Sequence, residues 1–539
     1  MSRHTGTLSA EALTQMLENL DGWPVAAALP SLMPGPVYVA MRVHGALRQA
    51  RWRSDGDVFA ALSACLGADN VQRACTLEIC VCLAPDVVTG SASLRTERDA
   101  RGRDTLCLDR YQNRRWIAPT WTIATNRSIA REIERYAEVE GTGDVTAAHL
   151  ATRSFLAARV PNGWRVNALY RGNTVVPVRA VTPELVTQLQ QGLRTWLLTN
   201  QTRDGDLPYK YWPSRGKQAP SNNVLRQLLA TVALFRQGRW ARDQEATDAG
   251  QRHLHAVLNA TYRPVGHGHA IVQDGKAKLG ASAMAGLALL DAPGARRDGD
   301  ALAGVRDAVL ACSRDDGRFR TFLLPDARND QQNFYPGEAL LFLVRYAGAT
   351  GDGRLVERCL KALRWYADWH RRARNPAFVP WHTMAAAALH DLTAVRWLAD
   401  WVFEMSDWLL AMQQSDHDLP ADVRGRFYRP DRPDFGPPHA ASTAVYLEGL
   451  AEAWRLAYRC GDVDRQARYA GALRLGLRAL RQLQFVDETD MYYVSQRGQV
   501  AGAVRTEVYD NTIRIDSVAH GLLAALSTQQ HGVLETRRR

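Results

Sequence analysis

Two acidic residues far apart in the sequence each stand at the start of a largely apolar helical segment. Glu338 follows Tyr335-Pro336, and proline suits the first turn of a helix because that position needs no amide donor. Asp516 precedes a second apolar segment. Because cleavage of a glycosidic bond needs two carboxyl groups that face each other, Glu338 and Asp516 are predicted to form an acid/base pair. Each also fits a simpler role, in which it binds amides in the first turn of its own helix.

Histidine and tyrosine residues at other segment starts support different chemistry. Imidazole titrates near neutral pH and can move a proton on and off a carbon atom. His382, His439 and Tyr335 are therefore candidate catalytic residues of a sugar epimerase or a uronate lyase, with Tyr211 as a second candidate base. This alternative stays open, and each single histidine also fits a purely structural position.

The remaining candidates share aromatic, amide, imidazole or charged side chains, which stack on a sugar ring or hydrogen-bond to its hydroxyl groups. The predicted substrate-binding residues are Tyr211, Trp212, Asn223, His267, His269, Lys278, Arg328, Asn333, Trp381, Asp434, Asn511, Arg514 and His520. The basic members of this set fit an acidic sugar, so the predicted partner is a carbohydrate substrate, neutral or anionic. A non-catalytic protein that binds a glycan or a peptide through the aromatic residues is a third possibility.

These candidates lie at the starts of segments in a loose repeat. Six amphipathic helices are predicted near residues 184–199, 241–260, 299–313, 354–374, 396–413 and 463–484. More apolar helices follow them, beginning near Asn222, Lys278, Pro336, Trp381, His439 and Asp516. Helices that are apolar all round must be buried. Closing six hairpins into a double ring, with the apolar helices inside, buries them and gathers their leading ends around one mouth.

This pattern resembles the six-hairpin glycosidase-like (α/α)6 toroid superfamily over residues 184–528. The resemblance rests on the sixfold alternation and on the phrases Lys278-Leu-Gly-Ala-Ser-Ala, Tyr335-Pro-Gly-Glu-Ala-Leu-Leu and Gly348-Ala-Thr-Gly-Asp. It implies the fold but not the reaction, since such rings host glycosidases, lyases, epimerases and lanthionine-forming cyclases. The zinc site of the cyclases takes cysteine ligands, and no cysteine stands at the predicted mouth. No metal and no cofactor are therefore expected.

The first third of the chain has a mixed pattern. Strands are predicted near residues 36–43, 76–83, 105–108 and 165–170, and helices near 56–66, 126–138 and 145–157. The fold class is therefore an α+β N-terminal domain followed by an all-α (α/α)6 toroid. The predicted divisions are residues 1–178, 179–530 for the toroid, and a basic tail at 531–539.

Three segments of this N-terminal region resemble the AMMECR domain family, namely Gly35 to Arg48, Leu77 to Leu83 and Ala118-Pro-Thr-Trp121. The family's Arg-Gly-Cys motif stands here as Arg48-Gln49-Ala50. No function is therefore carried over from that family, and the domain is expected to be a scaffold or a docking domain.

Composition excludes several other classes. The net charge of +11 comes from arginines that are spread along the chain, and no nucleic-acid-binding motif accompanies them. No apolar run approaches the roughly 20 residues of a membrane span, and the start lacks the apolar core of a signal peptide. We therefore expect a cytoplasmic protein that binds neither nucleic acid nor membranes. Cys80 and Cys82 are expected to be packing residues, and the oligomeric state is left open.

Overall fold

The computed structural model describes residues 8–20, 32–70, 76–84, 101–111, 113–140, 145–266, 268–294 and 299–535. Its N-terminal region contains, in chain order, α1 (Ala10–Leu20), β1 (Val37–Val43), β2 (Ala46–Arg53), α2 (Val58–Asn70), β3 (Thr76–Cys82), β4 (Thr105–Arg110), β5 (Asn113–Ile117), α3 (Pro119–Ala124), α4 (Ile129–Glu140), β6 (Thr146–Leu150), β7 (Thr152–Val160) and β8 (Gly163–Leu169). These strands form a five-stranded sheet in the order β2-β1-β3-β7-β8 and a three-stranded sheet in the order β5-β4-β6.

The helix predicted over residues 145–157 is wrong, because this stretch forms the strands β6 and β7. β7 lies between β3 and β8 and pairs antiparallel with both, so its middle residues are buried. The alanines of this stretch favour a helix when taken alone. Pairing on both edges and burial in the sheet outweigh that preference, as tertiary context often does.

The larger sheet carries its own apolar core. Leu13 of α1 and Leu62 of α2 are buried together with Val39, Leu77 and Phe155 from the strands. Cys80 and Cys82 are also fully buried, within small apolar clusters between the sheets. Packing therefore accounts for both cysteines.

The toroid follows, and within the described residues its helices alternate in chain order. They are α5 (Pro183–Asn200), α6 (Val224–Ala241), α7 (Gln244–Thr261), α8 (Leu279–Asp291), α9 (Asp300–Ala311), α10 (Tyr335–Thr350), α11 (Gly353–Arg372), α12 (Val379–Thr393), α13 (Arg396–Leu410), α14 (Ala440–Arg459), α15 (Val463–Leu483), the short α16 (Glu488–Met491) and α17 (Ile515–Gln530). The more apolar members are α6, α8, α10, α12, α14 and α17.

These six apolar helices form a closed inner ring. Each contacts the next in chain order, from α6 through α8, α10, α12 and α14 to α17, and α17 returns to contact α6. The amphipathic helices pack outside them, as in the pairs α7 with α6 and α15 with α14. The prediction of an α+β region followed by an (α/α)6 toroid is confirmed.

Short strands lead into two of the inner helices. β9 (Lys210–Trp212), β10 (Lys217–Gln218), β15 (Arg505–Glu507) and β16 (Asp510–Arg514) make one sheet, while β11 (Tyr262–Val265), β12 (Gly268–Gln273), β13 (Lys276–Lys278) and β14 (Phe322–Leu324) make another. β13 runs directly into α8, and β16 runs directly into α17. These strands fix where the leading ends of both helices stand.

The N-terminal region packs on the toroid through buried polar contacts. The Arg171 Nε donates to the Asp422 Oδ2 over 2.6 Å, and both side chains are almost fully buried. The Arg478 Nε likewise donates to the carbonyl of Val176 over 2.6 Å. Among the described residues, no helix is long and apolar enough to cross a membrane.

Candidate active site

A cavity of about 360 Å³ opens at the leading ends of the inner helices. Its walls come from α6, α10, α12, α14 and α17 and from the loops just before them. Of the predicted site residues, those in its lining are Asn223, Tyr335, Glu338, Trp381, His439, Arg514, Asp516 and His520. The ring therefore gathers residues that are almost 300 positions apart in sequence.

Glu338 lies in the first turn of α10, after Pro336, and its side chain is only 3% exposed. Its Oε2 atom has no hydrogen-bond partner among the residues that the structure describes. Burial raises the pKa of this carboxyl group to about 8, because the charged form loses its hydration. Glu338 therefore carries a proton at neutral pH and can donate it.

Asp516 lies in the first turn of α17 and has the opposite environment. Arg514 donates to both of its oxygens, from Nε to Oδ1 over 3.0 Å and from Nη2 to Oδ2 over 2.5 Å. The Arg226 Nε also lies 3.0 Å from Oδ2. Burial acts to raise the pKa of Asp516, but the two guanidinium groups outweigh it and hold that pKa well below its usual range. Asp516 is therefore ionised.

Arg226 is a cavity residue that the sequence analysis did not select. It lies one turn into α6, where the Asn223 side chain caps the helix by accepting from the Arg226 amide over 3.4 Å. Its Nη1 donates to the Tyr209 hydroxyl. The spacing of three residues between Asn223 and Arg226 could have revealed Arg226 from the sequence. Residues three apart on a helix share a face, and Asn223 was already a candidate.

Two histidines face the same cavity. The His439 Nδ1 caps α14 by accepting from the Ser442 amide over 3.1 Å. Burial, together with the charge of Arg514, lowers the pKa of His439 to about 4, so its imidazole is neutral. The His520 Nδ1 lies 2.6 Å from Oε1 of Glu448, a buried carboxyl group that the sequence analysis missed.

Aromatic rings supply the apolar part of the walls. Trp381 packs edge-on against His520, with their ring centroids 5.9 Å apart. Phe334 stands at the rim and is 42% exposed. Phe435 lines the cavity from the loop before α14, where the Arg432 guanidinium lies 4.0 Å from the Phe435 ring centroid.

Tyr335 is not suited to act as a base. Burial and the nearby Glu338 raise the pKa of Tyr335, so its phenol stays protonated and is a poor base.

His382, Tyr211 and Asn511 are buried away from the cavity lining. The His382 ring stacks on Phe378 with centroids 3.4 Å apart, and burial lowers the pKa of His382 to about 3. Successive residues on a helix point about 100° apart, so Trp381 faces the cavity while His382 turns into the packing behind it. Tyr211 donates its hydroxyl to Gln496 over 2.9 Å. The roles predicted for His382 as a catalyst and for Tyr211 as a base therefore do not fit this geometry.

The other predicted residues also lie outside the cavity lining. Arg328, which is half-buried, and Asp434, which is exposed, pair with neighbours two residues away, Asp330 and Arg432. His269 stacks on Tyr262 with ring centroids 5.0 Å apart. Three more are partly buried on β9 or at helix starts, namely Trp212, Lys278 and Asn333. His267 lies outside the described residues.

Metal ligands are not grouped in this cavity. Within the described ranges, no three histidine, cysteine, aspartate or glutamate side chains are placed so that they could hold a metal ion. The chemistry that the cavity offers is proton transfer, between a protonated Glu338, an ionised Asp516 and two imidazoles.

Comparison with known proteins gives matches of structure only. No protein-family model matches the sequence, and no curated protein matches it. Similar solved structures include a D-mannose isomerase, with 11% identity, a TM-score of 0.48, and coverage of 66% of this chain and 100% of that chain. An α-1,6-mannanase from Salegentibacter sp. HEL1_6 has 11% identity, a TM-score of 0.47 and coverage of 65% and 99%. An unsaturated glucuronyl hydrolase specific for heparin has 12% identity, a TM-score of 0.45 and coverage of 65% and 100%.

Proposed function

We propose that this protein is a carbohydrate-active enzyme that hydrolyses a glycosidic bond, with Glu338 as the acid and Asp516 as the base. One observation carries the proposal: two carboxyl groups line one cavity, and their surroundings move their pKa values in opposite directions. Such a separation is typical of the acid and base of an active site at neutral pH.

The reaction uses the two carboxyl groups in one displacement. Glu338 gives its proton to the glycosidic oxygen, and the bond between that oxygen and the anomeric carbon breaks. A water molecule forms the new bond to the anomeric carbon and releases a proton to Asp516. A carboxylate oxygen has two acceptor positions, and the Oδ1 of Asp516 accepts only from Arg514 in the described structure, which leaves one position for this water.

The charge around Asp516 favours an anionic sugar. Two guanidinium groups, Arg226 and Arg514, lie against this single carboxylate, while Glu338 is neutral, so guanidinium groups outnumber carboxylates at this point of the cavity. Arginine binds planar carboxylates especially well. A uronate, with one carboxylate per ring, matches this charge.

The aromatic residues at the rim favour an oligosaccharide over a single sugar. Trp381 lies inside the cavity, whereas Phe334 and Phe435 stand nearer its opening. Aromatic faces stack on the C–H surfaces of sugar rings. A second ring of the substrate would therefore rest on Phe334 or Phe435 when the first is bound beside Trp381.

Isotope labelling tests the hydrolase proposal. The protein is incubated with neutral and uronate oligosaccharides in water enriched in oxygen-18, and the masses of the products are measured by mass spectrometry. Hydrolysis places one oxygen-18 atom on the new reducing end, and Glu338→Gln and Asp516→Asn each lower the rate at least hundredfold. Asp400→Asn is the matched control, because that carboxylate is exposed and lies outside the cavity lining. Turnover that survives in Glu338→Gln would overturn the proposal.

A sugar epimerase or isomerase is the second candidate, and the Glu448–His520 pair favours it. The buried carboxyl group of Glu448 lies behind the His520 imidazole and fixes the orientation of that ring, while His439 offers a second, neutral imidazole in the same cavity. Such an enzyme would remove a proton from a sugar carbon and return a deuteron from heavy water to that carbon, while every glycosidic bond stays intact. Binding without turnover, unchanged in Glu338→Gln and Asp516→Asn, would instead indicate a glycan-binding toroid.

A further inference from the structure

The N-terminal region contacts the strand that leads into α17, at three consecutive residues. The Asn126 Nδ2 donates to Asp510 Oδ1 over 2.8 Å and to Thr512 Oγ1 over 3.0 Å. Between them, the Asn511 Nδ2 donates to the carbonyl of Ile123 over 2.9 Å. Asn511 is fully buried, so this contact is shielded from water. β16 is therefore held on one side by residues from the first third of the chain.

The backbone places Asn126 for this contact. Asn126 has a φ of 53°, in the left-handed region that asparagine tolerates better than most other residues. Its own Oδ1 accepts from the Arg101 Nη2 over 3.3 Å, which orients the amide so that its nitrogen faces β16. Asn126 thus lies at the centre of a network that joins the end of α3 to the toroid.

β16 ends at the candidate catalytic residues. Arg514 is its last residue and the N-cap of α17, and Asp516 follows in the first turn of that helix. Along its edges β16 pairs with β15 and with β9, where Arg514 lies opposite Lys210, so the N-terminal region contacts β16 through side chains. Because strand and helix are continuous, a shift of residues 510–512 moves Arg514 and Asp516 as well.

We propose that the N-terminal region positions the candidate active site, because Asn126 and the Ile123 carbonyl hold β16 so that Arg514 and Asp516 face Glu338. Asn126 acts through β16 and is a positioning residue. The N-terminal region is then part of the catalytic unit as well as a domain that packs on its side. This inference deepens the proposed function and rests on it.

Asn126→Gly is the variant that tests this inference with least strain. Glycine keeps the left-handed backbone at no steric cost and removes only the side-chain hydrogen bonds. Asn113→Ala is the matched control, because Asn113 is an exposed asparagine of the same region whose amide contacts only Glu140 in the described structure. Both variants are made in the full chain.

The first readout needs no substrate. Hydrogen–deuterium exchange, followed by mass spectrometry on a peptide covering residues 508–518, is expected to become about tenfold faster in Asn126→Gly, because the hydrogen bonds from Asn126 to Asp510 and Thr512 are lost. The same peptide in Asn113→Ala is expected to exchange as in the wild type. Wild-type protection in Asn126→Gly would overturn the inference, whatever the enzyme does.

The second readout separates positioning from general damage. Asn126→Gly is expected to lower kcat/KM about tenfold. This loss corresponds to a transition state that is less stable by about 1.4 kcal/mol. If Asn126 acts through Arg514, the double variant Asn126→Gly/Arg514→Lys loses less kcat/KM than the product of the losses in the two single variants. Strict multiplication of the losses, or no loss in Asn126→Gly, would overturn the inference. Glu338→Gln in the same assay shows separately whether the proposed function fails.

Discussion

The Glu338 carboxyl group lies directly against the backbone of Gly280, at the start of the neighbouring inner helix α8. A Cβ atom at position 280 would overlap the Glu338 Oε2 and would also meet the Tyr335 ring. The missing side chain therefore makes the space in which Glu338 is buried. Since burial is what raises the pKa of Glu338, this glycine is a condition for the acid role that we propose for Glu338.

Gly280→Ala is expected to lower activity at least hundredfold with little loss of stability. The new methyl group displaces the Glu338 carboxyl, whereas alanine is favoured over glycine in a helix by up to about 1 kcal/mol. Kinetics and thermal unfolding measure the two effects. Gly471→Ala is the control, because Gly471 lies in α15, and among the described residues no neighbouring atom lies within 4 Å of the added Cβ. Activity that is unchanged in Gly280→Ala would contradict the role given to this contact.

Glu338→Gln is expected to stabilise the protein at pH 7 by about 1–3 kcal/mol while it abolishes turnover. The pKa of Glu338 rises from 4.5 to about 8 on folding, so between these pH values the unfolded state binds fewer protons than the native state. Stability therefore falls as pH rises through this window, and glutamine removes that fall. Urea unfolding at pH 5 and pH 8 measures it. An equal change in the free energy of unfolding between pH 5 and pH 8 in the wild type and in Glu338→Gln would argue against a buried acid.

His370→Phe is expected to reduce the sensitivity of the fold to acid. His370 is buried and stacks on Phe378 at 4.5 Å between centroids, and burial lowers its pKa from 6.5 to about 4. The unfolded state then binds more protons than the native state between these values, so stability is lost as pH falls from 6.5 towards 4. Thermal unfolding between pH 7 and 5 measures the difference. A pH dependence in His370→Phe equal to that of the wild type would contradict this explanation.

Arg171→Met is expected to destabilise the protein by about 3–5 kcal/mol, because it leaves Asp422 buried without its cation. The double variant Arg171→Met/Asp422→Leu is expected to recover only part of that loss, because it removes both members of the pair but also takes the Asp422 charge away from the buried Arg478. Arg396→Met is the control, because Arg396 is 94% exposed and its pair with Asp400 spans 4.0 Å. Denaturant unfolding compares the variants, and an equal loss in Arg396→Met would contradict this explanation.

The sequence predicts the ring well because the inner helices are largely apolar, and four of these six helices begin at a proline or a capping side chain. α10 begins at Tyr335 beside Pro336, and α14 begins directly after His439, close to the predicted starts. The N-terminal region is harder to predict from the sequence, because β7 is built from residues that also suit a helix. Only the pairing of β7 with β3 and β8 decides that this stretch is a strand.

Side-chain direction limits what the sequence can say about the site. Trp381 and His382 are neighbours on one helix, yet only Trp381 lines the cavity. Glu448 lies two turns into α14, where the sequence looks like ordinary buried helix, and only the contact with His520 reveals it. Gly280 carries no chemistry of its own, so its effect on Glu338 follows only from how closely α8 and α10 approach.

Infrared difference spectroscopy tests the central claim most directly, namely that one cavity holds a protonated Glu338 and an ionised Asp516. The spectrum of the wild type minus that of Glu338→Gln is expected to show a protonated carboxyl band at pH 7 that disappears with a midpoint near pH 8. The corresponding difference with Asp516→Asn is expected to show only an ionised carboxylate at pH 7. A Glu338 band that is already lost below pH 6, or a protonated Asp516 at pH 7, would contradict the account.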